Sequence, residues 1–344
     1  MDEPRVITVL EPSDEYPHEP DPVPNYNESM YLNGFDSSKE VGGWFRLGNR
    51  VNEGHAEMTV CLYLPGGRVG FIYGRPEITS NDEMNAGGLR IEVVTPFEQL
   101  RVTYEGKVCL LDEPRQMAEP RRAFKENPMV TCAVDLDVRG ISPMYGGKQV
   151  DEDGSELSVD AERSFAKAHY EQHIAVTGSI TVGDEVIDMD GLGLRDKSWG
   201  PRYWQALHWY RWLPMVFGRD FAMMLSLIGG EDSSKPPRQS GVVLADGKYS
   251  IVRECRLESE WDEDKYQTTL RAWARTDERE YEVTGEVISL IPLRNRRTTP
   301  DGEQLTTRIV EAMTRFRCDG RTGIGMSEYL DQVVDGLPVG PDLD

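Results

Sequence analysis

No stretch of the 344-residue sequence approaches eighteen consecutive apolar residues, so no transmembrane helix is expected. The opening Met1-Asp2-Glu3-Pro4 lacks a basic region and an apolar core, so it does not read as a signal peptide. Basic side chains are in short supply. Lys and Arg number 38 against 60 Asp and Glu, a net charge of −22 that argues against nucleic acid and anionic membranes as partners. Cysteines are few and odd in number: Cys61, Cys109, Cys132, Cys255 and Cys318. They show no CxxC spacing and several sit among apolar residues, which suits buried thiols in a reducing compartment better than disulfides. The expected location is the cytoplasm. No zinc spacing and no GxSxG elbow occur, and Gly191-x-Gly193 lacks the third glycine of a dinucleotide loop. No metal and no cofactor are therefore expected.

What is present is a long series of short alternating stretches. Residues 1–28 form an acidic, Pro-rich arm, in which Pro17, Pro20, Pro22 and Pro24 forbid a helix or a central strand. Such an arm either wraps the body or stays mobile. Residues 57–64 and 69–74, joined by Pro65-Gly66-Gly67-Arg68, read as a hairpin. Residues 129–138 alternate with a two-residue period, as a strand does. A short helix is expected over 161–172, then a hairpin over 174–189, then strands to residue 333. The fold class is all-β, and the length suits two successive antiparallel barrels. The expected division is the arm at 1–28, a first β-domain at 29–175 and a second at 176–344.

Chemistry concentrates between residues 191 and 214. Four of the seven tryptophans, Trp199, Trp204, Trp209 and Trp212, fall within fourteen residues, with Arg195, Asp196, Arg202, His208 and Arg211 among them. A large aromatic area with a few charged groups is the composition of a small-molecule pocket. It equally suits a Trp-plugged barrel end with an Arg–Asp pair holding a turn. An Asp196 buried among aromatics would have a raised pKa and could donate a proton near neutrality.

Gly193-x-Arg195-Asp196-x-Ser198-Trp199-Gly200-Pro201-Arg202 resembles the signature of carotenoid 1,2-hydratase (hydroxyneurosporene synthase)-like proteins within the lipocalin-like AttH group. That group is similar to kievitone hydratase, tocopherol cyclase and fungal Diels–Alderase-type cyclases. Tyr31-Leu32-Asn33-Gly34, Gly43-Trp44-Phe45-Arg46-Leu47-Gly48, Val176-Thr177-Gly178 and Gly323-Ile324-Gly325-Met326-Ser327-Glu328-Tyr329 add weaker matches in the same order. The resemblance implies two lipocalin-like (calycin-type) barrels side by side, with an apolar cavity near the signature. It implies a hydratase, dehydratase or isomerase/cyclase acting on a hydrophobic, isoprenoid-like or polycyclic molecule by acid catalysis. Asp196 would be the proton donor. Trp199, Trp204 and Trp209 would line the cavity, and Arg195 and Arg202 would position Asp196 or a substrate oxygen. Many relatives have His where this chain has Lys197. An outward Lys197 would leave the chemistry intact, whereas a cavity-facing one would remove a proton shuttle.

His208 is a candidate acid–base partner of Asp196, and Glu328 and Tyr329, behind Gly323-x-Gly325, are candidate site residues. His169 and His173 are four apart but lack a metal-binding context. A non-catalytic carrier of a hydrophobic small molecule is the alternative, since a cavity alone supports binding. The oligomeric state is left open, a homodimer included.

Overall fold

The computed structural model describes residues 7–340 apart from 152, 158, 161–163, 233 and 299–301. The first sheet contains β1 (Ile7–Val9), β2 (Tyr26–Asp36), β3 (Val41–Arg50), β4 (His55–Tyr63), β5 (Val69–Gly74), β6 (Met84–Ala86), β7 (Leu89–Thr95), β8 (Gln99–Leu111), β9 (Met129–Gly140), β10 (Tyr145–Val150), β11 (Ala168–Val182) and β12 (Glu185–Pro201). The second contains β13 (Trp209–Gly218), β14 (Phe221–Gly229), β15 (Arg238–Ala245), β16 (Lys248–Ile251), β17 (Glu254–Trp261), β18 (Gln267–Arg275), β19 (Glu280–Thr298), β20 (Gln304–Cys318), β21 (Arg321–Val334) and β22 (Leu337–Pro338). All pairings are antiparallel, so the all-β class and the two lipocalin-like barrels expected from the sequence are present.

Strand β9 pairs with both β8 and β11 and so closes the first sheet into a ring. The ring is thinnest between β5 and β8, which match only at Val69–Leu111, Gly70–Leu110 and Phe71–Cys109. The second sheet curls so that Val252, just before β17, donates its N–H to Gly241 of β15 at 3.0 Å. Closure of this kind removes the exposed edges that a large open sheet would present.

Alternation decides what each strand buries. On β9, Cys132, Val134, Leu136 and Val138 point inward while their neighbours meet solvent. On β2 all eleven residues are buried. Its Met30 and Leu32 fill the first barrel, and its Tyr31 and Phe35 pack against Trp212, Met224, Met313 and Met326 of the second. The second barrel is filled by Leu213, Met215, Phe316, Tyr329 and their neighbours. The barrels therefore share a third apolar layer made from their outer faces.

Two expectations are corrected. Residues 161–163 of the expected helix lie outside the described residues, and from Ala168 the chain is strand, hydrogen-bonded on both sides. The division at 175/176 falls in the middle of β11. Strand β12, with the signature, pairs with β2 and β11 and so belongs to the first barrel, and the second begins at Trp209. A 17-residue strand running directly out of its hairpin carries the signature back across the first sheet.

Candidate active site at the barrel interface

Successive side chains of β12 leave the strand on opposite faces, so the signature addresses two different neighbours. Arg195, Lys197 and Trp199 face the N-terminal arm. Arg195 donates to Glu15 at 2.5 and 3.0 Å and to Gln172 at 2.9 Å. Lys197 donates to Glu28 at 2.6 Å and to the carbonyls of Asp14 and Tyr16 at 2.8 Å each. Trp199 stacks on His18 at 4.1 Å. The arm thus wraps the body and seals this end of the first barrel. Burial raises the Glu15 and Glu28 carboxyls, but the cations beside them win, and Glu28 is held at about 2.

Asp196 and Ser198 face the second barrel. Register places Asp196 between Glu171 of β11 and Tyr31 of β2, with Arg46 of β3 beyond. Opposite them β13, β21 and β20 align Trp212, Glu328 and Glu311. Contacts cross the gap. The Trp212 indole donates to Glu171 Oε1 at 2.9 Å, and its ring meets Tyr31 edge-on at 5.5 Å. Tyr63 of the first barrel donates to the Glu311 carbonyl at 3.0 Å. Within the second barrel, Tyr210 donates to the Glu328 carboxyl.

Here burial outweighs the compensating charges. It pushes Glu171 up to about 8, with Asp196 adding to the shift. It pushes Asp196 to about 7, opposed by Arg202 and reinforced by Glu328. Glu328 rises to about 7 against its hydrogen bonds from Tyr210 and Glu311, and Glu311 is held well above the usual range by burial and Glu328. Clustered carboxyls removed from water stay protonated when the nearby cations, here Arg202 and Arg46, do not pair with them, because charging one is penalised by both the medium and its neighbours. Near neutrality the site therefore holds carboxylic acids that can both give and take protons.

Asp196 is nevertheless only half-buried, and the His169 side chain is open over 47 % of its surface. Burial and Arg202 still pull His169 down to about 4. Asp196, His169 and the half-buried Trp204 and Tyr210 mark a partly open recess at the junction of the barrels. Arg202 and Trp204 belong to its wall: the Arg202 guanidinium lies 3.8 Å from the Phe165 ring and 5.3 Å from the Trp204 ring. Gly200, at φ +110°, allows the turn out of β12, and a side chain there would strike Lys167 at 2.4 Å.

Of the residues singled out from the sequence, Asp196, Glu328, Arg202 and Trp204 come together here. Arg195 and Trp199 do not line this recess, because strand alternation turns them to the arm. Trp209 and Tyr329 point into the second barrel, where Tyr329 meets Ser259 at 2.7 Å. His208 is half-buried and its carbonyl accepts the Gln332 N–H at 2.9 Å, but among the described residues no hydrogen bond joins its imidazole to Asp196. Lys197 faces away from Asp196, toward Glu28 and the carbonyls of Asp14 and Tyr16. Sequence reasoning missed Glu171, Tyr210 and Glu311. Glu171 was hidden in the expected helix, and no local pattern reports which carboxyls meet across a barrel interface. Among the described residues no group of His, Cys, Asp or Glu has a metal-binding arrangement. Two open clefts, of about 160 and 540 Å³, lie elsewhere, the smaller beside Phe35, Val216 and Phe217 and the larger beside Arg90, Arg101 and Tyr104.

A family model described as a domain of unknown function, DUF7064, matches residues 11–333. The chain belongs to this family. No curated protein matches it by sequence. A solved protein from Nitrosomonas europaea assigned as AttH shares 14% identity at a TM-score of 0.61, over 94% of this chain and 97% of that one. CghA shares 12% identity at a TM-score of 0.52 over 90% of this chain and 88% of its own, and has also been solved with Sch210972. At these identities the likeness is one of fold, and the AttH-like fold read from the signature is the fold of this family member.

Proposed function

We propose that the protein is an acid-catalysing hydratase, dehydratase or isomerase/cyclase for a hydrophobic small molecule of isoprenoid-like or polycyclic type. The observation that carries this is Asp196, half-buried at the junction of the barrels beside Glu171 and Glu328, with its carboxyl pushed up to about 7. An acid with that pKa is partly protonated at neutral pH and is not a poor base once it has given its proton, as general acid catalysis requires.

In a hydration, Asp196 gives its proton to one alkene carbon and the neighbouring carbon becomes cationic. Water adds there, and its surplus proton returns to the Asp196 carboxylate. Dehydration runs the same steps backwards. In an isomerisation or cyclisation the proton returns from carbon instead. The faces of Trp212 and Tyr210 are suited to a developing cation. Glu328, held by Tyr210, is the second acid on the opposite wall. A related fold, that of CghA, has been solved with Sch210972, which supports a small-molecule occupant. A mere carrier would gain nothing from four buried carboxyls, whose desolvation is unfavourable.

The test is Asp196→Asn, an isosteric change that removes the proton. Turnover of a substrate found by screening copurifying or library terpenoids and polyketides should fall about 10²–10⁴-fold, with binding by fluorescence retained. Unaltered turnover would remove Asp196 from the acid role.

A further inference from the structure

Among the described residues Arg202 is a buried cation without an ion pair. It is 6% exposed, and its side chain makes one hydrogen bond, from Nη2 to Ser198 Oγ at 2.6 Å. Among the described residues its Nε has no partner. Among the described residues no carboxylate oxygen stands within 4.0 Å of the guanidinium. The nearby cations are already provided for. Arg46 pairs with Glu57 at 3.1 Å, and Arg50 pairs with Glu57 at 3.2 Å and Glu53 at 2.7 Å. Arg46, Arg50 and Arg75 thus take up Glu57 and Glu53, and neither carboxylate pairs with Arg202. Asp196 would supply the missing negative charge only by losing the proton that acid catalysis needs.

A buried cation without a counter-ion is strongly unfavourable, and the usual remedies are pairing or neutralisation. Neutralisation is closed to a guanidinium, which stays charged across the physiological range. The planar faces of Arg202 are covered by Phe165 and Trp204, and Arg46 lies over the same Trp204 ring at 5.4 Å. Nε is enclosed and one Nη2 hydrogen is held by Ser198, so a ligand would meet the edge formed by Nη1 and the other Nη2 hydrogen, whose paired N–H groups suit a planar oxyanion.

We infer that the recess takes an amphipathic organic anion, a molecule with a carboxylate or enolate head held by Arg202 and an apolar body lying along Trp204, Tyr210 and Trp212 toward Glu171 and Glu328. This rests on the recess being the substrate site and narrows the substrate class from hydrophobic to hydrophobic with one acidic head. An anion at Arg202 would also keep Asp196 protonated, since a second negative charge beside it disfavours ionisation.

The test uses the whole protein and a matched fluorescent pair, cis-parinaric acid and its methyl ester. The acid should bind at least tenfold more tightly than the ester. Arg202→Met should abolish that preference, and Arg202→Lys should retain part of it, which separates loss of charge from loss of fold. Equal affinities in the unaltered protein overturn the inference, as does a preference that survives Arg202→Met. Binding is read without turnover, so failure here leaves the Asp196→Asn result to judge the acid-catalysis reading on its own.

Discussion

The two faces of strand β12 solve the same problem in opposite ways. On the arm side, Arg195 and Lys197 are buried cations matched by Glu15 and Glu28 and by backbone carbonyls. On the interface side, Asp196 is a half-buried acid beside the buried Glu171, Glu328 and Glu311, with no ion pair to any cation among the described residues. One face neutralises its charges by pairing, the other by keeping protons. Paired charges hold structure and do not exchange protons near neutrality, whereas unpaired acids with raised pKa values are ready to. A difference of one residue along the strand separates the two.

The sharpest way to break the comparison is to remove the interface acid. Asp196→Asn should lower turnover by about 10²–10⁴-fold while leaving the urea midpoint nearly unchanged or raised, because an acid kept protonated by burial contributes no stability. The equivalent change on the arm face should do the reverse. Lys197→Met takes the buried ammonium away from Glu28 and from the Asp14 and Tyr16 carbonyls, and should cost about 3–5 kcal/mol of stability. Adding Glu28→Leu should not recover that loss in chemical denaturation, because it leaves the His18 N–H, Tyr26 and Asn81 without their acceptor. A single variant no less stable than the parent would show that the arm pair is not buried as described.

The pH dependence of stability sharpens the same contrast. Glu28 is held at about 2 against an ordinary 4.5, so its contribution is complete above the unfolded value and is lost as pH falls from about 5 toward 2. Glu171 and Asp196 are raised, to about 8 and about 7. Their folded forms bind more protons than the unfolded chain between about pH 4 and 8, so stability falls as pH rises through that window. Urea midpoints across pH should therefore show two limbs. Glu28→Gln should flatten the acid limb and Glu171→Gln the alkaline one, and an exchange of these effects would refute the assignment of the two faces. Activity requiring protonated Asp196 should decline above about pH 7. The smallest effect is expected at the Ser29–Ser198 hydrogen bond, 3.0 Å long, where Ser29→Ala should cost about 1 kcal/mol.

The legible part of this protein was the part written in local order. Alternation in Met129–Gly140 and the Pro65-Gly66-Gly67 turn gave strands and a hairpin where they are found. The signature led to Asp196 and Arg202. Illegible were the face on which Arg195, Trp199 and Tyr329 would lie, the strand character of Ala168–Val182, and the meeting of Glu171 with Trp212 across 41 residues of chain.

Sequence alone determined the all-β class, because a two-residue period can bury an apolar face only as strand. It also determined that charge and aromatic rings gather at 195–212, because composition is local. Tertiary structure decided which barrel owns β12, which side of it is sealed by the arm, and which carboxyls face one another. These depend on register and on the docking of two closed sheets. A one-residue change in register would exchange the arm-facing and interface-facing sets of β12 without altering a letter of the sequence.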